Sequence, residues 1–331
     1  MNYYCGHPAQ TRGAEHYTLH GGKGEGMNFI YVRNGLGLEV WISVDRAGDI
    51  SRLQFKGRNF GYFAPCGYVS PAYYDGVDAG FLKSFTAGFF TTCGLTAVGS
   101  PCEDEGEKLP LHGTLSNTPA RLLSLEENET ELTVKLQVTD AALFARKLVL
   151  TRLYRFSYTE NVFSVEDTVQ NLGDSTSPYM ILYHCNMGYP LLSEQSLLRI
   201  PHHSITPRNA HAAEFIDSAL QPEAPQAGYE ECCYYYDIKE KDGKAKVGIF
   251  SPEAGGVVLG YDKAQLPCFT QWKMMGRTDY VMGLEPGNCT PDGRDVLRKE
   301  GRLQFLAPEE CGTTALSFRF TDDLSEFEGE F

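Results

Sequence analysis

No G-x-G-x-x-G or G-x-x-x-x-G-K-[ST] stretch follows an apolar run in this chain, and strand and helix patterns do not alternate. A nucleotide-binding α/β fold is therefore disfavoured. Positive charge is scarce: 29 Lys and Arg face 43 Asp and Glu, a net charge of −14. Such a balance opposes attraction to phosphate backbones, so nucleic acid is not an expected partner. No stretch approaches ~18 uninterrupted apolar residues, which excludes a membrane-spanning helix. The start, Met1-Asn-Tyr-Tyr-Cys-Gly-His-Pro, has neither a basic n-region nor an apolar h-region, so a soluble, unsecreted, cytoplasmic protein is expected. Cys-x-x-Cys spacing is also missing: the ten cysteines are scattered from Cys5 to Cys311. They are expected to be small buried thiols in a reducing compartment, without disulfides or zinc. His16 and His20 are four apart, but Thr18 and Gly21-Gly22 argue against the helix that would align them on one metal. No metal site and no cofactor are expected.

What the chain has in quantity is strand signal. Hydrophobic residues make up 42 %, with 19 Tyr and 19 Phe but only two Trp, enough to fill a core without staples. Glu131 to Thr139 alternates strictly, with Leu132, Val134, Leu136 and Val138 on one face. Further β-rich runs cover 28–33, 36–44, 144–156, 162–169, 179–183, 232–238, 246–250, 257–261, 280–284 and 313–320. Asn34-Gly35 and Asp242-Gly243 sit between such runs and tolerate the positive φ of tight type I′ turns, so antiparallel hairpins follow. The segments 100–110 and 209–229 read as surface excursions, the second with a short helix around Ala212 to Leu220. Length alone leaves one or two domains open. Neither excursion divides the pattern into two compositions, so residues 1–331 are expected to form a single all-β domain of two packed antiparallel sheets.

Four residues stand out by their surroundings. His184 closes the apolar run from Tyr179 to Tyr183, where a polar ring at a strand end reaches a cleft; a hydrogen-bonded structural histidine fits as well. His112 precedes Gly113, which permits close approach of backbone or ligand; a turn-capping histidine is the alternative. Glu285 ends the run Tyr280 to Leu284 just before Pro286-Gly287, and burial there would raise its pKa and suit it to acid–base work near neutrality; a surface turn glutamate is the bland reading. Trp272 offers the aromatic face on which sugar C–H groups stack, although core tryptophans are commoner.

Seven ordered segments carry a resemblance through most of the chain: Asn34-Gly-Leu-Gly-Leu38, Val44-Asp-Arg-Ala-Gly-Asp-Ile50, Phe55-Lys-Gly57, Thr91-Thr-Cys-Gly-Leu95, Leu111-His-Gly-Thr-Leu-Ser-Asn-Thr-Pro119, Leu182-Tyr-His-Cys-Asn-Met-Gly-Tyr-Pro-Leu191 and Gly283-Leu-Glu-Pro-Gly-Asn288. Together they resemble the aldose-1-epimerase (galactose mutarotase-like) superfamily, and more closely its branch called domain of unknown function 4432. The resemblance implies a large antiparallel β-supersandwich with few short helices. It also implies a cofactor-free isomerase that interconverts the α and β anomers of a free aldose. His184 and Glu285 match the proton-transferring pair, and His112 matches a histidine beside the sugar ring. Asn186 lies two positions after His184, which departs from the spacing of better-known epimerases. Arg46, Asp49, Asn117, Asn186, Trp272, Lys273, Arg277 and Arg294 are further expected sugar contacts, with structural ion pairing the alternative for Arg46 and Asp49, and Arg46, Lys273, Arg277 and Arg294 would make a cationic corner for a sugar phosphate. Two other functions fit the same residues. One is a glycosidase pairing Glu285 with Asp49 or Asp262; the other is a sugar-binding or sensing module without turnover.

Overall fold

The computed structural model describes residues 3–331; Met1 and Asn2, part of the amino-terminal stretch read above, lie outside the described residues. Two large sheets, in which every strand pairing is antiparallel, stack face to face. The first has twelve strands. Its main path runs Gly13–Thr18, Asn28–Arg33, Leu38–Ser43, Asp49–Phe55, Phe90–Leu95, Ser177–Met187, Tyr280–Gly287, Cys268–Met275, Cys232–Ile238 and His202–Pro207. The nine-stranded second sheet runs Ala120–Glu127, Glu131–Ala141, Lys147–Ser157, Val162–Asn171, Cys311–Thr321, Gly255–Asp262, Lys244–Ser251 and Leu197–Arg199. The expected all-β supersandwich is therefore what forms, with only short helices such as Arg294–Lys299.

Alternation explains how the sheets meet. Leu132, Val134, Leu136 and Val138 all turn into the core, as the period of two requires. One apolar cluster runs from Ile30 to Phe320 and joins both sheets. Its centre is aromatic: Phe163 stacks on Phe318 at 4.7 Å, and Phe89 meets Phe318 edge-on at 5.3 Å. Such pairs contribute roughly 0.5–1.5 kcal/mol each beyond their buried area. A polar knot sits in the same layer. Arg152, wholly buried, donates to Asp167 at 2.7 Å and to Asp49 at 2.7 Å, and the Tyr183 hydroxyl donates to Asp167.

Local details refine the sequence expectations. Asp242 (φ 53°) and Gly243 (φ 75°) form the anticipated tight turn, joining Glu240–Lys241 to Lys244–Ser251. The Asn34 hairpin is longer: the Asn34 side-chain oxygen accepts from the backbone N–H of Leu36 and Leu38, and the partner strand begins at Leu38. The run expected from 144 starts at Lys147 because Phe144 adopts φ 60° in the preceding turn. Segment 100–110 carries a small hairpin, Cys102–Asp104 with Glu107–Leu109. The second excursion folds as the helix Ala210–Glu214 and a 3-10 turn, Ile216–Ser218. All ten cysteines are free; five of them are buried and Cys311 is exposed. No helix among the described residues is long and apolar enough to cross a membrane.

Candidate active site

Register places the chemistry. Ser177–Met187 pairs with Tyr280–Gly287 through Leu182↔Gly287 and Cys185↔Leu284, so His184 falls opposite Glu285. Glu285 pairs in turn with Thr270, and Asn186 with Gly283, which pairs with Trp272, itself opposite Cys233. Ile181, Tyr183 and Cys185 face the inter-sheet core. By alternation, His184 therefore points away from the second sheet. The result is two adjacent rows on one outer face: His184, Glu285, Thr270, and beside them Asn186, Gly283, Trp272, Cys233.

Loops roof this face. Phe81, Leu82 and Phe85, together with Leu111, His112, Ser100, Arg208 and Pro291, close over the rows. The partly open cavity of about 180 Å³ far exceeds the ~10–15 Å³ one water needs. The roof leaves His184 and Glu285 only 5 % and 2 % exposed.

The imidazole of His184 is gripped edge-on by Phe85 and Trp272, both at 5.2 Å, and by the His112 ring at 5.5 Å. Its Nε2 lies 3.2 Å from Glu285 Oε1. The contact lacks hydrogen-bond alignment, so Oε1 keeps its capacity for a ligand. Burial pushes the His184 ring down to about 4, against a smaller opposing pull from the Asn186 side chain. Burial, reinforced by the charge of Glu231 and opposed by Arg208, holds the Glu285 carboxyl well above the usual carboxylate range. Burial thus favours the uncharged form of each group. Nδ1 of His184 and Oδ1 of Asn186 are both buried without a partner; a proton on Nδ1 leaves the Nε2 lone pair toward Glu285.

Carboxylate placement depends on Gly283. A Cβ there would come within 2.2 Å of Glu285 Oε1 and 2.9 Å of Trp272 Cβ. His112 has φ 59° and is followed by Gly113 at φ 74°. A Cβ on Gly113 would meet Gly94 O at 2.4 Å, so glycine lets this loop press onto the strand Phe90–Leu95. The Gly99 N–H donates to His112 Nδ1 at 3.3 Å, which leaves the proton on Nε2. Burial, then the neighbouring His184 and Arg208, keep this ring well below its ordinary pKa and neutral. The Trp272 indole N–H donates to Glu231 at 2.6 Å. Cys233 is not a nucleophile: burial and the nearby carboxylates push its thiol up to about 12.

Of the expected contacts, His112, His184, Trp272 and Glu285 line the cavity; the others do not. Asn186 lies behind His184, donating to the carbonyls of His184 and Ala87. Asp49 lies between the sheets in its pair with Arg152, and Asp262, on the second sheet, pairs with Lys244. Neither faces Glu285 across the cavity. The Arg46 guanidinium is spent on the carbonyls of Val69, Ser84 and Ser116, and Asn117 accepts from Ser84 Oγ. Both tie down the loops that carry Phe85 and His112. Lys273 cannot share a face with Trp272, its strand neighbour; it points oppositely and binds Glu223 and Ser218 O. Arg277 is exposed beyond the strand end. Arg294 is locked to Asp104 and Glu107. The cationic corner therefore does not form. The residues not anticipated are Thr270, Glu231, Arg208 and Cys233, with the aromatic roof. Thr270 alone had a readable signal, its two-residue spacing from Trp272.

This architecture is the galactose mutarotase-like sandwich, and the chain belongs to the family described as domain of unknown function DUF4432, whose model matches residues 24–320. A Klebsiella pneumoniae protein provisionally named an aldose 1-epimerase superimposes with TM-score 0.90 at 25 % identity, covering 96 % of this chain and 85 % of its own. A galactose mutarotase-like protein from Clostridium acetobutylicum (TM-score 0.67, 12 % identity, 95 % and 100 % covered) shares the fold. So does galactose 1-epimerase from Lactobacillus acidophilus (0.62, 13 %, 94 % and 99 %). Among curated proteins, none matches the sequence.

Proposed function

We propose that this protein is an aldose-1-epimerase-like isomerase, acting as one domain on a free sugar, with His184 and Glu285 as the proton-transferring pair. One observation carries the reading. Of the eight buried side-chain polar atoms without a partner among the described residues, three belong to residues that line the cavity: His184, Thr270 and Glu285. A cavity lined by unmet hydrogen-bonding capacity and an acid–base pair suits a ligand rich in hydroxyls.

The proton inventory closes. In this mechanism the pair holds one proton, and with sugar bound the 3.2 Å contact must come into hydrogen-bond alignment for it to pass from Glu285 to His184 Nε2. Glu285 then accepts the anomeric hydroxyl proton as His184 donates to the ring oxygen, and the C1–O5 bond breaks. The open aldehyde faces a neutral acid and a neutral imidazole, the state that burial favours. Rotation about C1–C2 and the reverse transfers close the opposite anomer. Each group supplies on the order of 10²–10⁴-fold, and the His112 Nε2–H orients an oxygen near C1.

The test is to follow the anomeric ratio of freshly dissolved D-glucose, D-galactose and other aldoses by proton NMR. Acceleration above the spontaneous rate is expected for at least one. Sugar binding with none accelerated would leave a binding module instead. The pH dependence is a second expected result. In this mechanism the active pair holds one proton, so kcat/KM should fall on the acid side only as His184 gains a second proton, near pH 4. On the alkaline side it should fall only as Glu285 ionises, above the ordinary carboxylate range. An acid limb near 6.5 would contradict this assignment.

Glu231 gives the glycosidase reading one supporting observation, since it shares the cavity with Glu285. Its carboxylate is engaged by the Trp272 indole, however. Hydrolysis of aryl glycosides would favour that reading.

A further inference from the structure

Resting on the epimerase reading, we propose that the Thr270 hydroxyl reads the 2-hydroxyl of the sugar, so that the site selects 2-hydroxy aldoses over their 2-deoxy counterparts. Thr270 is the direct cross-strand partner of Glu285. It is 1 % exposed, lines the cavity, and its Oγ1 has no partner. A buried hydroxyl left unmet costs stability unless a ligand satisfies it.

Position in the row identifies the ligand atom. His184, Glu285 and Thr270 stand on three successive strands with Glu285 in the middle. Around the anomeric carbon, O1 is likewise flanked by the ring oxygen on one side and by C2 with its hydroxyl on the other. With His184 on the ring oxygen and Glu285 on O1, the next strand along meets O2. The hydroxyl of Thr270 both donates and accepts, so it can bind O2 in either sense.

The test compares each of D-glucose and D-galactose with its 2-deoxy analogue in the wild type, Thr270→Val and Thr270→Ser, each rate corrected for spontaneous anomerisation. The decisive quantity is the 2-hydroxy to 2-deoxy preference in kcat/KM, compared between proteins so that the intrinsic reactivity of the deoxy sugars cancels. Thr270→Val should lower that preference roughly tenfold relative to wild type, the scale of one neutral hydrogen bond, while Thr270→Ser retains it. Melting temperature separates this from a packing defect: Thr270→Val removes an unpartnered hydroxyl and should melt no lower than wild type. An unchanged preference in Thr270→Val overturns the inference and leaves the epimerase reading intact. A wild type that accelerates no sugar fails that reading itself, before any variant is made.

Discussion

Glu285→Gln is expected to lower catalysed anomerisation by about 10²–10⁴-fold while sugar binding changes far less. The substitution keeps the shape of the side chain and one acceptor oxygen but removes the exchangeable proton. It should also leave the fold intact, because burial already favours the uncharged form of Glu285. A neutral amide then adds no uncompensated buried charge. His184→Asn should cost a comparable factor. The double variant should be scarcely worse than either single one if, as proposed, the pair moves one shared proton and its members act as a unit. NMR exchange rates and melting curves on the same samples separate lost chemistry from lost fold. Full activity in Glu285→Gln would remove the base from the mechanism, and full additivity in the double variant would deny that the two groups share a proton.

The sheets were legible in the sequence where alternation was unbroken, as in 131–139, because a period of two leaves no freedom about which face is buried. Asp242-Gly243 was legible for a similarly local reason: the turn is made by backbone that those two residues tolerate. The site was only half legible. His112-Gly113, His184 and Glu285 sit in segments whose family resemblance is strong, but the sugar contacts taken from charge alone failed. Arg46, Lys273 and Arg294 were expected to reach a ligand, yet each is held by carbonyls or carboxylates of this chain. A buried guanidinium or ammonium must find such partners to be buried at all. Lys273 was excludable from the sequence, since it adjoins Trp272 on a strand and must face the other way. Arg208 and Glu231 were not readable. They flank the excursion 209–229, and they reach Glu285 only because Cys232–Ile238 lies two strands away from Tyr280–Gly287 in the sheet, an order that no local pattern encodes.

Gly283→Ala is the second substitution with a large expected effect, about 10²-fold in kcat, the cost of moving a catalytic group by roughly an ångström. The Gly283 backbone φ lies outside the left-handed region, so alanine imposes no torsional strain. What its methyl group meets is Glu285 Oε1 at 2.2 Å, the far end of a side chain with three rotatable torsions. The carboxylate swings off Gly283 and leaves its 3.2 Å contact with His184, and Trp272 Cβ, 2.9 Å from the added methyl group, must also shift with its strand. Gly113 makes the contrast. A methyl group there would strike the backbone carbonyls of Gly94 and Ala97 at φ 74°, which cannot rotate away, so Gly113→Ala should lower the melting temperature together with activity. Gly283→Ala should melt below wild type but less so than Gly113→Ala, still bind sugar, and turn over slowly, with the pH profile altered because the two titrating groups no longer share a proton. Were Gly283→Ala to keep both its rate and its pH profile, the close approach of Glu285 to His184 would not be what drives ring opening. The proton would then have to reach the ring oxygen by another route, with the neutral His112 Nε2–H in the roof of the cavity as one of the donors that line it.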